Sequence, residues 1–360
     1  MVPYLTINIT TVVLALILFG FVTNSFMGKT RTKFSHYLFI AIVFFYLFFI
    51  MSFRGDFTSD YRNYVNLFRY FSSFSFEELI NGGFHQELGY VLLNWLLGLV
   101  TDNAIYIVLV SSFLILYAHF NQFKKHSVAI WLSILLFINI GGYYDSFNIT
   151  RQLMASSIVF LGSRFLYERS FLKYILVILL GASFHRTALV MIPFYFILNM
   201  RINRKRALLL LMVGGLSSSW VGYAINFIQR FFYSIYTTQS YGMTGLKFTN
   251  VVVPLAIVTY VLFHSSKLDN TRNIENTWFN CALFYTFFSF LGLSVQLIQR
   301  LSYFFLPYVL LLIPLTISRL KSQELKAIYV MAIVGMLILY NYVTLSGTGY
   351  DPYYFIWNHN

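Results

Sequence analysis

The sequence predicts an all-α, polytopic integral membrane protein with about twelve transmembrane helices (roughly 11–14) and no separate soluble domain. Three observations carry this reading. Of the 360 residues, 58% are hydrophobic and only 10% are charged, where a soluble domain is about a quarter charged. The mean hydropathy is +0.69. Long apolar runs recur along the chain with short basic clusters between them. At about 20 residues per crossing the spans use up the chain. Residues 1–360 therefore read as a single transmembrane domain, and a cofactor-binding domain of the usual size is excluded.

Taken in order, the first apolar stretch covers roughly 4–26. It has no basic region ahead of it and no clear small-residue cleavage site, so it reads as a spanning helix and not as a removable signal. The second, roughly 35–53, leads into a long outer loop, 54–87. The third, roughly 88–120, is interrupted by Thr101-Asp102-Asn103 and is either two short helices or one helix plus a re-entrant piece. Further spans are expected at roughly 128–145, 150–167, 171–184, 187–200, 207–228, 249–265, 277–298, 301–318 and 327–345, with 346–360 as an outer C-terminal tail.

The formal charge of +13 would point to nucleic acid if the basic residues shared one patch. They do not. Clusters such as Lys29/Arg31/Lys33, Lys124/Lys125, Arg201/Arg204/Lys205/Arg206, Lys267/Arg272 and Arg319/Lys321/Lys326 sit between apolar runs, which is the positive-inside pattern. The expected partner is thus the lipid bilayer and not nucleic acid, with both termini outside. The lone Cys281 allows no disulfide framework and no thiolate metal site. HExxH, CxxC and GxxxxGK(S/T) are all missing, which removes zinc proteases and nucleotide hydrolases. Asp56 and Asp60 could support a divalent ion, but the arginines around them oppose it, so neither metal nor cofactor is expected.

Several ionisable residues then fall on the outer side where helices meet the interface. Arg54, Asp56 and Asp60 stand in RGDFTSDYRNY, Arg151 in FNITRQLMA, His185 and Arg186 in SFHRTAL, and Arg300 in LIQRLSYFF. Ionisable groups at membrane depth are costly and tend to face a polar cavity; the plainer alternative is that each arginine snorkels to the headgroups. If the groups share one cavity, its chemistry is definite. A guanidinium fork pairs with phosphate oxygens and keeps its charge, and a carboxylate or imidazole can take a proton from an attacking hydroxyl. Tyrosines such as Tyr61, Tyr143, Tyr303, Tyr350 and Tyr353 serve as interfacial belts or as a platform for sugar rings.

The order RGDFTSDYRNY, HQELGYVLLN, FNITRQLMA, SFHRTALVMIP, LIQRLSYFF and GYDPYYF resembles the EpsG family, Wzy-like bacterial polymerases of exopolysaccharide and capsule. The resemblance runs from about Arg54 to Tyr354, and FN-x-x-RQ followed by FH-x-(S/T)A is its most specific part. It matches Arg54, Asp60 and Tyr64 to a first outer motif and Glu87, Gly89 and Tyr90 to a second. Asn148, Arg151 and Gln152 match the third, His185 the fourth and Arg300 the fifth. Arg186 departs from the pattern, where a less charged residue is expected.

What the resemblance implies is a metal- and nucleotide-independent glycosyltransferase at the outer face of the bacterial plasma membrane. It would join oligosaccharide repeat units carried on undecaprenyl diphosphate, alongside a flippase and a chain-length regulator of the same pathway. Arg151 and Arg300, with Arg54, would bind the diphosphate; Gln152, Asn148 and Tyr64 would complete the substrate contacts. His185, Asp60 or Glu87 would be the general base, with Glu87 ranked last. Two alternatives stay open: another enzyme on lipid-linked glycan, such as a ligase or sugar transferase, and a flippase or transporter. A transporter should carry polar residues at the bilayer midplane, whereas here they cluster toward one face.

Overall fold

In the computed structural model, which describes residues 2–19, 33–58, 60–232, 254–256, 258–259, 262, 273–345 and 353–358, the apolar runs are helices. Among the described residues there is no β-strand, only an isolated antiparallel bridge between Arg54 and Phe355. Lys29, Arg31, Lys247, Lys267, Arg272, Tyr350 and Asp351, most of the expected span 249–265 and the tail segment 346–352 lie outside the described residues. The chain divides into two compact units, Met1–Leu189 with Ile317–Asn360, and Val190–Thr316.

The first unit is built around the helix Ile105–His126. Its 22 residues rise about 33 Å at 1.5 Å each, enough for a hydrocarbon core of about 30 Å. It packs against Lys33–Ser52 on one side and Thr150–Leu161 on the other. Phe44 meets Phe113 and Phe120 edge-on at 5.8 and 5.4 Å. Lys124, Lys125 and His126 occupy the last turn, where positive charge complements the helix carbonyl end. Some polar side chains inside the bundle link one helix to another. The Asn139 amide donates to the Asn8 carbonyl oxygen at 2.7 Å, joining Val2–Phe19 to Ile130–Asn139, and Gln323–Leu345 packs on both. Such amide bonds between apolar helices contribute about 0.5–2 kcal/mol.

Three helices are long and apolar enough to cross a membrane: Phe34–Ser52, Ile105–His126 and Gln323–Val343. The pair Leu297–Phe304 and Leu306–Ser318, bent by 53°, makes a fourth if taken as one span. Several other apolar runs form shorter helices: Thr6–Ile17, Leu88–Gly98, Ile130–Asn139, Phe171–Ala182 and Arg186–Leu198. The 12 residues of Phe171–Ala182 rise only about 18 Å, a little over half of the core. Among the described residues, three helices, or four with the bent pair, pass on both length and apolarity beside a set of half-length helices, which accords with a membrane protein and does not fix the number of crossings. Local chemistry sets the breaks. Gly141, at φ +95°, follows the end of Ile130–Asn139, and Gly162 separates Thr150–Leu161 from Ser163–Tyr167.

The expected third segment is indeed two helices, Leu88–Gly98 and Ile105–His126. Between them the Asn103 side chain accepts the Ile105 N–H at 3.0 Å and the Thr101 hydroxyl accepts the Asn103 N–H at 3.1 Å. The stretch 54–87, expected as a loop, contains the helices Tyr61–Ser72 and Phe76–Asn81. Tyr64, Phe68 and Phe71 recur at helical spacing and bury one stripe, which packs on Leu88–Gly98. Ser75 and Glu78 form a reciprocal capping box that starts the shorter helix.

In the second unit, Arg204–Phe232 runs along Asn273–Leu291. Phe194, on Met191–Leu198, packs against Phe284, Phe288 and Phe305 at 4.7, 5.7 and 4.9 Å. The Asn280 amide donates to the carbonyls of Leu198 and Met200 at 3.0 and 2.7 Å, which satisfies orphan acceptors at that helix end.

Candidate active site

The first unit gathers the HQELGY, FNITRQ and SFHRT motifs around one ion pair. Glu87 precedes Leu88–Gly98 in extended conformation and makes no side-chain cap bond, so its carboxylate is free to reach across. Its Oε2 accepts from Arg151 Nη1 at 2.8 Å, and its Oε1 accepts the Arg186 backbone N–H at 3.2 Å. Arg151 Nη1 also donates to the Gln86 side-chain oxygen. The side chains of Arg151 and Glu87 are 20% and 13% exposed. This is a sheltered pair, where charge-assisted bonds count for more than at an open surface. Nε and Nη2 of Arg151 have no hydrogen-bond partner among the described residues. One edge of the fork is thus fixed by protein and the other edge is unclaimed.

Below the guanidinium lies the ring of Tyr90, 5.4 Å away at its centroid, and Tyr90 in turn meets the Tyr64 ring at 6.3 Å. The Tyr64 hydroxyl donates to the Asn148 carbonyl at 2.6 Å, tying Tyr61–Ser72 to the turn that opens Thr150–Leu161. Burial pushes the Tyr64 phenol up, the Asp60 carboxylate pushes it further, and the Arg151 guanidinium draws it back. Asp60 and Arg151 thus both act on the same phenol. Asp60 sits at the N-cap of Tyr61–Ser72 without using its side chain as a cap, and its carboxylate bonds to no described residue.

His185 ends the turn after Phe171–Ala182. Its Nδ1 lies 2.7 Å from the Thr187 hydroxyl, and the Thr187 backbone N–H points at the same nitrogen from 3.4 Å. A backbone N–H aimed at Nδ1 calls for a lone pair there, which places the ring proton of a neutral imidazole on Nε2. Next to it, Arg186, the departure from the family pattern, is the residue whose main chain holds Glu87. Gly89 allows this crossing to be close: a Cβ there would stand 2.2 Å from Ser183 Oγ and 2.8 Å from its carbonyl oxygen.

Arg54 is placed differently. It is 1% exposed, between the rings of Tyr61 and Phe147 at 5.5 and 4.9 Å. It donates to the carbonyls of Met51 and, at 3.3 Å, Phe147. Thr58 donates to the same Phe147 carbonyl at 3.2 Å. In this position Arg54 joins two backbone segments and faces no open space. Gln152 is buried on Thr150–Leu161, one residue beyond Arg151. Arg300 belongs to the second unit, where it opens the 3-10 turn Arg300–Phe304.

Gln86 escaped the sequence reading, although it stands beside Glu87 in HQELGY. Thr187 fills the (S/T) position of FH-x-(S/T)A, and its contact with the His185 ring is what the sequence did not reveal. Among the described residues no three His, Cys, Asp or Glu side chains gather as a metal set. A sheltered guanidinium with one edge that meets no described residue is suited to holding an anionic group.

No curated protein and no solved structure matches the chain. The EpsG family does, over residues 37–359. With nearly its whole length matched, the chain belongs to the EpsG family, and that membership suggests a membrane enzyme of polysaccharide biosynthesis.

Proposed function

We propose that this protein is the polymerase of a bacterial exopolysaccharide or capsule pathway, joining undecaprenyl-diphosphate-linked repeat units at the outer face of the plasma membrane. The observation that carries the proposal is that the Nε/Nη2 edge of Arg151 has no hydrogen-bond partner among the described residues, while Arg151 and Asp60 both act on the Tyr64 phenol. In the reaction, the hydroxyl oxygen at the non-reducing end of one lipid-linked unit attacks the anomeric carbon of the growing chain. The new C–O bond forms as the anomeric C–O bond to diphosphate breaks. The bonding pair leaves with the lipid diphosphate, and the hydroxyl proton passes to a carboxylate. Arg151 stabilises the charge gained by the leaving group. Such a leaving group needs neither nucleotide nor metal for its departure.

The assignment of the base follows from what each candidate is already doing. Glu87 has both oxygens engaged, by Arg151 and by the Arg186 N–H. His185 has Nδ1 engaged by the Thr187 backbone N–H, so that nitrogen is not available to take a proton. Asp60, whose carboxylate bonds to no described residue, takes first place as the base. Arg54 is a positioning group. Arg300 carries its proposed diphosphate role from the LIQRLSYFF motif, and Arg300→Ala tests it separately. A flippase and a chain-length regulator of the same pathway are the expected partners.

The test is the product. Purified protein in liposomes, given lipid-linked repeat units, should yield a ladder of long glycans. A single joined product on a different acceptor would make it a ligase, and movement of intact substrate across the bilayer without new linkages would make it a transporter.

A further inference from the structure

The closing motif GYDPYYF has no part in the chemistry above, yet its described end is docked on the first outer motif. Phe355 and Arg54 form the antiparallel bridge. The Gly55 N–H donates to the Tyr354 carbonyl at 2.7 Å and the Ile356 N–H to the Phe53 carbonyl at 3.1 Å. Tyr353 donates to the Ile50 carbonyl at 2.7 Å, and Phe355 stacks on Trp357 at 4.8 Å beside Phe49. The Tyr354 ring lies so close to Gly55 that a Cβ there would stand 2.1 Å from a ring carbon. That contact aims the phenol. Its hydroxyl donates to Asp56 Oδ1 at 2.6 Å, while Arg62 Nε donates to Oδ2 at 2.7 Å.

Arg62 is the second residue of Tyr61–Ser72, the helix whose N-cap is Asp60 and whose Tyr64 reaches Asn148. Its side chain is 75% exposed, and an ion pair so open holds little by itself. Asp56, 16% exposed, is held on its other oxygen by a fixed phenol. We infer that Tyr354 is a positioning residue of the active site: through Asp56 and Arg62 it sets the first turn of Tyr61–Ser72, and with it Asp60 and Tyr64. The C-terminal segment is then a working part of the site. The inference rests on the reading of Asp60 as the base.

Tyr354→Phe keeps the ring against Gly55 and the main-chain bridge and removes only the hydroxyl. The full chain is reconstituted in liposomes with undecaprenyl-diphosphate-linked repeat units as the probe. In Tyr354→Phe, kcat is expected to fall about tenfold with KM unchanged, the scale for losing one bond to a charged group. Asp56→Asn should act alike, and the double variant should be no slower than the slower single, because both act along one chain of contacts. Independently of turnover, hydrogen exchange at the amides of 61–64 should quicken in Tyr354→Phe. A wild-type kcat, an effect confined to KM, additive losses in the double variant, or unchanged exchange would each overturn the inference. If the wild type makes no polymer, the polymerase reading falls, and the exchange result alone decides the positioning role.

Discussion

Replacing Gly89 with alanine should displace the whole ion-pair cluster without touching any group in it. The added Cβ would meet Ser183 Oγ at 2.2 Å, the Ser183 carbonyl oxygen at 2.8 Å and its Cβ at 2.9 Å. The hydroxyl can rotate away, but the carbonyl cannot. Raising 2.8 Å to an ordinary 3.4 Å contact moves the two segments apart by about 0.6 Å. The Tyr90 N–H bond to that same carbonyl, now 3.2 Å, would pass out of hydrogen-bond range. Glu87, two residues away, would be pulled from Arg151 and from the Arg186 N–H. Overpacking of this kind costs about 1–3 kcal/mol of stability. A displacement of about 1 Å can cost about a hundredfold in rate, so a loss of about ten- to a hundredfold in polymer growth is expected. The assay is initial rate in liposomes beside thermal unfolding in detergent. Ser183→Gly removes two of the three clashing atoms and should restore part of the rate to Gly89→Ala. Gly89→Ala with wild-type rate and melting temperature would refute the claim that this close crossing holds Glu87 on Arg151.

Further expectations follow from the same contacts. Asp60→Asn should lower kcat about a hundred- to a thousandfold in the liposome assay, while leaving substrate binding near normal. Tyr64→Phe should cost about 1–2 kcal/mol, seen as a lower melting temperature, because the Asn148 carbonyl loses its 2.6 Å donor. Arg54→Lys keeps the charge but cannot reach both the Met51 and Phe147 carbonyls in one plane. It should destabilise the protein by about 1–3 kcal/mol, with KM for lipid-linked substrate unchanged.

Much of the architecture was readable from residues. The polar triplet Thr101-Asp102-Asn103 marked a real break because its side chains bond the backbone that a continuing helix would use. The apolar stripe of Tyr61–Ser72 was equally visible at Tyr64, Phe68 and Phe71, and reading 54–87 as loop overlooked that spacing. Where a run is cut into half-length helices was not readable, since hydropathy measures apolarity and not where glycine turns fall. In the site, residue types pointed to anion binding, but their division of labour depends on tertiary contacts. Arg54 and Arg151 look alike in sequence. One is buried against main-chain carbonyls, and the other pairs with Glu87 and keeps an edge open. The link from Tyr354 to Asp56 joins residues nearly three hundred positions apart, and no local pattern announces it.

The most direct measurement is equilibrium binding of undecaprenyl diphosphate, without sugar, to the reconstituted wild type, Arg151→Lys and Arg151→Ala. Loss of a charge-assisted contact of about 1.5–3 kcal/mol predicts affinity lower by about ten- to a hundredfold in Arg151→Ala, with Arg151→Lys between the two. Equal affinity in all three would contradict the assignment of Arg151 to the diphosphate.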